Sequence, residues 1–547
     1  MSSHGDVAGN PHTEAVNDED TNEAAVSVPD TGDGGDGSKL KMIITLVKKC
    51  LGVKDIASMR LSLPASLLEP IPNLEYWHYL DRPDLFAAIN DSADPLERML
   101  AVLRFSFAKD LKWIHGKVCK PYNSVLGEHF RAHWDVIPVS YPSDDRTQAP
   151  IQHLYLSEAA AESSISQLPV TESSRAETAS TKSGVSSIKS ATSRAASSPQ
   201  TPGRSTPATS PELIETELDA QISKLSLNEG EQPVELVEAD DPPVPIANRP
   251  RIRVAYLTEQ ISHHPPVSAY VASCPSRNLE MVGIDQISAK VSGMNVRVTP
   301  GSYNKGMFIR GTGGHAEGET YQITHPTVSV NGILRGNFYL TVSDSTIITC
   351  SGTKSTKDDE QLRTIIEFKE ESWLGKAHFL IEGVVHAYDP TGIAHHEWTK
   401  VKHVPKSRVV AQFHGSWKHL IKWKLVEEPD SAYRPLLDLS QLQVIPKSVR
   451  PLDEQLPTES RKLWENVTKN LLNKQYGDAN KFKHAIEQKQ RDDAAERKRK
   501  GTKFIPKYFA EDWEDGIPTV LPEGRAAMEE ELASQAEHPL EPTKVAA

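Results

Sequence analysis

The chain has 547 residues, 38% hydrophobic and 25% charged, with a formal net charge of −13 and a mean hydropathy of −0.46. That balance describes a folded core with polar appendages, and the negative charge argues against bulk nucleic-acid binding while allowing local basic faces. Cys50, Cys119, Cys274 and Cys350 are scattered without CxxC spacing, which suggests neither a zinc site nor a disulfide framework and makes a reducing, cytosolic setting the default. The N-terminus lacks a basic region followed by an apolar run, and no run of about eighteen apolar residues occurs anywhere, so any membrane is one the protein visits.

Residues 1–37 are rich in Asp, Glu, Gly and Ser, too polar to offset the entropy of ordering, and are expected to form a disordered tail. From Lys39 onward, Leu40, Ile43, Ile44, Val47 and Leu51 recur at helical spacing among lysines until Gly52. This predicts a short amphipathic helix with a basic face, either an ordinary surface helix or one that touches a membrane or closes a site as a lid. Residues 61–86, dense in Pro, Leu and aromatics, are expected to wrap on the core, and Leu96, Met99, Leu100, Leu103 and Phe107 predict a helix over 96–107. The stretch from Lys120 to Phe130 reads as a Pro-Asn turn followed by a strand. His129 and His133 share a strand face, with Glu128 on the other and no thiolate beside them, so they are not taken as metal ligands.

Residues 158–247 are Ser/Thr/Pro-rich and expected to be disordered. Ser198-Pro199, Thr201-Pro202, Thr206-Pro207 and Ser210-Pro211 offer phosphorylation sites, unless the segment is an unregulated spacer. It separates the Lys120 segment from the histidine pair described next, so it reads as an insertion within one domain spanning 38–525, not as a linker.

After it, Ile252, Val254 and Tyr256 alternate with other residues at the period of a half-buried strand. That strand delivers Glu259-Gln260-Ile261-Ser262-His263-His264-Pro265-Pro266, where two prolines stiffen the backbone behind two imidazoles and bar a helix. Rings held at such a corner can bind an anion, bind a metal, act as acid or base, or satisfy local hydrogen bonds. Strand-length runs at 336–342, 345–350, 362–368 and 377–385 make 250–425 predominantly β, packed as a sandwich or closed as a barrel. His395-His396 has no flanking prolines and reads as surface. Beyond residue 430 the pattern turns helical, and Lys483, Glu487 and Arg491, at i, i+4 and i+8, share one face on which neighbours can brace one another. A solvated charged face has the same pattern. Arg497-Lys498-Arg499-Lys500 before Gly501 either docks on anionic lipid or complements the helix dipole. The acidic residues 526–547 are expected to be a frayed tail.

Several strings resemble the oxysterol-binding protein family. EQISHHPP at 259–266 is similar to its EQVSHHPP, with Ile261 for Val. KPYNSVLGE at 120–128 is similar to KPxNPxLGE, with Ser124 for the usual Pro, a change that loosens the turn but keeps Lys120 and Asn123. Residues 446–464 look like PxxxRPLxEQ…ESRxLW, the Lys483–Arg491 stretch like K…IE..QR, and 501–509 like G..W.P.YF with Phe504 for Trp.

The resemblance covers 39–140 and 250–515. It implies a β-dominated α+β fold: a large, incomplete antiparallel barrel around a hydrophobic tunnel, with an N-terminal lid, N-terminal helices and C-terminal helices. A short fungal-type member with the lipid-binding domain alone is expected. The resemblance implies phosphatidylinositol 4-phosphate held at Lys120, Asn123, His263, His264, Lys483, Glu487 and Arg491, with its acyl chains in the tunnel. A phosphomonoester, with about two negative charges and three acceptor oxygens, suits converging ammonium, guanidinium and imidazole donors. Glu487 would orient the neighbouring cations or accept an inositol hydroxyl. A second lipid, a sterol or phosphatidylserine, would compete for the tunnel and be exchanged between membranes, with the 39–51 helix as candidate lid. A monomer without cofactor, metal, nucleic-acid partner or enzymatic activity is expected, in peripheral, transient contact with anionic membranes. The alternative class is a lipid sensor or scaffold regulated by phosphorylation of the insert. A metal-dependent hydrolase would need a third ligand and a base that the sequence does not offer.

Overall fold

The computed structural model describes residues 26–27, 36–56, 61–62, 65–115, 120–153, 249–292, 295–333, 338–352, 360–369, 378–428, 430–536 and 538–541. The Ser/Thr/Pro-rich segment with its Ser-Pro and Thr-Pro dipeptides lies outside them, as does most of the first 37 residues. Within that N-terminal stretch, β1 (Val26–Ser27) pairs in parallel with β2 (Leu61–Ser62).

The chain then builds β3 (His129–Val136), β4 (Ile252–His263), β5 (Pro266–Cys274), β6 (Leu279–Asp285), β7 (Ile287–Ser292) and β8 (Asn295–Pro300). Next come β9 (Met307–Gly311), β10 (Thr320–Ile323), β11 (Thr327–Asn331), β12 (Tyr339–Ser343), β13 (Ser345–Ser351) and β14 (Gln361–Phe368). β15 (Leu380–Tyr388), β16 (Val409–Ser416), β17 (Leu420–Leu425) and β18 (Arg434–Asp438) complete the strands. Twelve of them form one sheet in the order β18-β17-β16-β15-β14-β13-β10-β9-β6-β5-β4-β3, and β7, β8, β11 and β12 form a four-stranded sheet. β3 and β18 are the two edges of the large sheet, which is not closed, so the incomplete antiparallel architecture holds rather than a sandwich. β3 and β4, separated in sequence by the long insert, pair directly from His129–Glu259 to Val136–Ile252.

Strand alternation sorts the side chains onto two faces. Val254 and Tyr256 of β4, Tyr270 of β5 and Met281 of β6 join the main core on what we call the inner face, to which all twelve strands contribute. Ala255, Leu257, Val271 and Val282 lie on the outer face in a second core. The inner core is filled from the N-terminal side by Leu74, Leu85 and Phe86 and by the helix Pro95–Ala108. That helix starts where sequence logic places it: Asp94 accepts from the Leu96 and Glu97 N–H groups at 2.7 and 3.1 Å, and Pro95 fills the first turn. Close packing demands a glycine at 283, because a Cβ there would sit 2.3 Å from the Tyr270 hydroxyl on the neighbouring strand.

The N-terminal amphipathic helix spans Asp36–Lys49. Val47 and the adjoining Cys50 are buried against Val291 and Ile333, on the four-stranded sheet's side, with Ile43 and Ile44 packed beside them. Leu40 is half-buried, whereas Leu51, expected in the stripe, lies past the last helical residue and is 51% exposed.

A larger correction concerns the C-terminus. Helix Pro522–Leu532 packs Ala527 and Met528 onto Leu257 and Val271, so the expected frayed tail is part of the fold at least to residue 532. Further on, the Arg251 N–H donates to Pro539 O at 2.8 Å and the Glu541 N–H to Arg251 O at 2.8 Å. The acidic residues are not merely solvated: Glu531, 1% exposed, meets His133 Nδ1 at 2.7 Å, and Glu530 pairs with Arg131. Two carboxylates that look like a charge run in sequence answer Arg131 and His133 on the outward face of β3.

Candidate functional site

The Lys120 turn is the first component. Lys120 Nζ donates to Asn123 Oδ1 at 2.7 Å and to Pro121 O at 3.0 Å. Tyr122, 1% exposed, ties the turn to the molecule by packing its ring 4.9 Å from that of Trp464. Its hydroxyl shares a 3.0 Å hydrogen bond with Thr468. Ser124, expected to loosen the turn, is buried, and Glu128 closes the loop instead: its Oε2 accepts from the Val125 N–H at 3.0 Å and from Trp464 Nε1 at 3.1 Å, and its Oε1 from Ser460 Oγ at 2.7 Å. Burial pushes the Glu128 carboxyl up to about 7, against the pull of those donors.

The histidine pair is the second component. β4 runs five residues beyond the expected strand, and β5 begins at Pro266, so His264 and Pro265 form a two-residue turn with a cis peptide between them. The two imidazoles meet edge to face, centroids 4.6 Å apart. Ser262 Oγ donates to Pro265 O at 2.8 Å and Gln260 Nε2 to Ser262 O at 2.7 Å, fixing the corner. This hairpin is bound to the first component through backbone: the Gly127 N–H donates to Gln260 O at 2.9 Å and the Gln260 N–H to Glu128 O at 2.8 Å.

The third component is the helix Tyr476–Lys500, ended by Gly501 in the left-handed conformation. Ala479, with Tyr476 and Ile486 beside it, shares a small core with Tyr122, Val125 and Trp464, so the helix is packed on the Lys120 turn. Lys483, 5% exposed, bonds Glu487 Oε1 at 2.5 Å. Arg491 is exposed, and its Nε and Nη2 donate to Gln488 Oε1 at 3.1 and 2.8 Å. The expected brace from Glu487 to Arg491 is therefore replaced by one from Gln488, since Glu487 is already held by the buried lysine. Backbone hydrogen bonds thus tie the Lys120 turn to the strand that leads into the histidine hairpin, and the Tyr122–Trp464–Ala479 core packs the helix on the same turn, while Arg491 lies two turns beyond Lys483.

Positioning residues that the sequence reading left unassigned are Glu128, Glu259, Ser460 and Trp464. Glu259, 1% exposed, accepts the Lys507 and Tyr508 N–H groups at 2.7 and 2.8 Å, locking 501–509 against β4. Burial raises its pKa, and the backbone donors lower it in part. A signal was present: both acids sit inside the recognised strings, beside the basic residues that drew attention. His129 and His133 are absorbed by carboxylates and a phenol, with Tyr508 Oη 3.4 Å from His129 Nε2. Among the described residues no cluster of His, Cys, Asp and Glu is arranged to hold a metal ion. No helix among them is long and apolar enough to cross a membrane.

The inner face also carries polar groups at the histidine end of the sheet. Tyr79 donates to Asp285 Oδ1 at 2.7 Å and stacks on His325. Burial pushes Asp285 up to about 7 and His325 down to about 3, so the imidazole is neutral at physiological pH.

Comparison with known proteins agrees with this architecture. The oxysterol-binding protein family model matches residues 42–162 and 246–519. The oxysterol-binding protein-like protein 1 of Schizosaccharomyces pombe is 38% identical over 504 residues, covering 91% of this chain and 92% of that protein. The human oxysterol-binding protein-related protein 11 is 24% identical over 453 residues, 82% of this chain and 45% of that protein. Among solved structures, the Osh1 ORD domain in complex with cholesterol superposes with a TM-score of 0.52 at 16% identity, covering 90% of this chain and 89% of that one. The Osh3 ORD of Saccharomyces cerevisiae in complex with PI(4)P gives 0.50 at 14% identity, covering 90% and 94%.

Proposed function

Because the chain belongs to the oxysterol-binding protein family, whose members are lipid-binding transfer proteins and not enzymes, we propose that it carries phosphatidylinositol 4-phosphate in exchange for a second lipid. The headgroup is gripped by Lys120, Asn123, His263, His264 and Lys483, with Glu487 setting the lysine's position and Arg491 swinging in from the exposed face. The acyl chains, or in their place a sterol or phosphatidylserine, occupy a tunnel against the inner face, so the two lipids exclude one another. The protein works from the cytosol as a monomer and meets anionic membranes peripherally, and the Asp36–Lys49 helix serves as its lid.

The observation that supports this reading is that three segments distant in sequence are joined: backbone hydrogen bonds tie the Lys120 turn to the histidine-bearing strand, and the Tyr122–Trp464–Ala479 core packs the Tyr476–Lys500 helix on that turn. Lys483, already buried, would lose less side-chain entropy on meeting a phosphate than a mobile surface cation. Liposome-to-liposome exchange tests it. Wild type should move phosphoinositide one way and the second lipid the other, and His263→Ala/His264→Ala should lose phosphoinositide transport while remaining folded. Full transport by the double variant would refute the site.

A further inference from the structure

Between Arg497 and Lys507 the chain carries Arg497, Lys498, Arg499, Lys500, Lys503 and Lys507 and no acidic residue. In the middle of the loop that follows the helix, Ile505 is 78% exposed. An isoleucine can be exposed because its segment is loosely held, but here the backbone is pinned on both sides. The Gly501 N–H donates to Lys498 O at 3.2 Å and the Thr502 N–H to Arg497 O at 3.0 Å, closing the helix. The Phe504 ring lies against Gly127, where even an added Cβ would stand only 3.2 Å from it. Beyond Ile505, Pro506, Tyr508 and Phe509 are buried and Glu259 holds two successive N–H groups. The fold therefore presents a bulky aliphatic side chain on a pinned loop between Lys503 and Lys507, after a basic helix end where Arg499 and Lys500 pair with Glu496, although the hydrophobic effect would favour burying it.

We propose that the Arg497–Lys507 segment is a membrane-docking face, in which the cations meet anionic lipid headgroups and Ile505 enters the layer beneath them. A bilayer is the occupant the chemistry selects. A nucleic-acid backbone would use the cations but gains nothing from an aliphatic wedge, and a lone wedge needs no complementary groove in a fluid interface. The anchors also place the face: Gly127 and Glu259 lie at the end of β3 and β4 that carries the histidine hairpin, so a membrane held here lies at the end where a headgroup enters or leaves. The inference rests on the lipid-carrier reading but concerns a different set of residues.

Flotation with phosphoinositide-free vesicles tests it, comparing phosphatidylcholine alone with phosphatidylcholine mixed with phosphatidylserine. Wild type should bind the mixed vesicles more tightly. Ile505→Ser should weaken that binding about fivefold to tenfold, and Lys503→Gln and Lys507→Gln about fivefold each, less at high salt. In Ile505→Trp, binding should be retained and the new indole's emission should shift to the blue when mixed vesicles are added. Unchanged binding of Ile505→Ser, no blue shift, or equal binding to neutral and anionic vesicles would overturn the proposal. So would polyuridine RNA binding that ignores residue 505 in a protein that leaves vesicles alone. His263→Ala/His264→Ala should dock like wild type here, so a failed headgroup site shows as lost phosphoinositide transport with docking intact, and a failed docking face as the reverse.

Discussion

Substituting Glu128 probes how the Lys120 turn is held. Its carboxylate, 0% exposed, accepts three hydrogen bonds. In Glu128→Ala the Ser460 hydroxyl can turn to His129 O, already 3.3 Å away. The Val125 N–H and the Trp464 indole N–H are instead left buried without an acceptor. At about 1–3 kcal/mol for each orphaned donor, the loss is about 4 kcal/mol. Glu128→Gln behaves differently, because its Oε1 can take both N–H groups while its Nε2 donates to Ser460 Oγ. The sign of the pH effect follows from the raised carboxyl, which reaches about 7 in the fold. Its contribution is fully present below the unfolded value of about 4.3 and is lost as pH rises through the folded value, a swing of about 4 kcal/mol. A glutamine carries no charge to desolvate, so this variant should lie within about 1 kcal/mol of wild type at pH 5 and exceed it at pH 8. Urea unfolding followed by tryptophan fluorescence at both pH values measures this. An alanine variant within about 1 kcal/mol of wild type at pH 5, or a glutamine variant as weak as alanine at pH 8, would refute the reasoning.

Three further outcomes follow from the same geometry. Gly283→Ala places a methyl 2.3 Å from Tyr270 Oη and 2.6 Å from Cζ, and should lower stability by about 1–3 kcal/mol, only partly recovered by adding Tyr270→Phe; an unchanged urea midpoint would contradict the packing. Glu531→Ala removes the 2.7 Å partner of His133 and should raise amide hydrogen exchange across 522–532 while leaving the 259–270 hairpin protected; unchanged protection would show the helix is held by Ala527 and Met528 alone. Imidazolium binds a phosphate dianion better than neutral imidazole does, so phosphoinositide affinity should rise as pH falls from about 8 to 5.5. A dissociation constant flat across that range would remove the histidines from charge recognition.

The strings around the histidine pair and the Lys120 turn were legible because proline restricts the backbone locally while asparagine and glycine tolerate turn conformations, and the structure builds a turn at each. The N-terminal helix was legible for the same local reason, through its period. What stayed hidden depends on partners far along the chain. The β4 strand continues to His263 because Gly127 and Glu128 extend its ladder from over a hundred residues away, which no window around the strand reveals. Glu530 and Glu531 look like a solvated charge run until Arg131 and His133 are placed opposite them. Arg491 and Glu487 share a helical face, yet the choice of Gln488 as the arginine's partner depends on Lys483 being buried. Period and composition specify which face a residue occupies; they do not specify what is packed against that face.

The account's central claim is that one cavity takes one lipid at a time. Native mass spectrometry of the protein mixed with phosphatidylinositol 4-phosphate and a sterol or phosphatidylserine measures this directly. The account predicts singly loaded species of either kind, with the phosphoinositide adduct missing in His263→Ala/His264→Ala. A species carrying both lipids at once would contradict it.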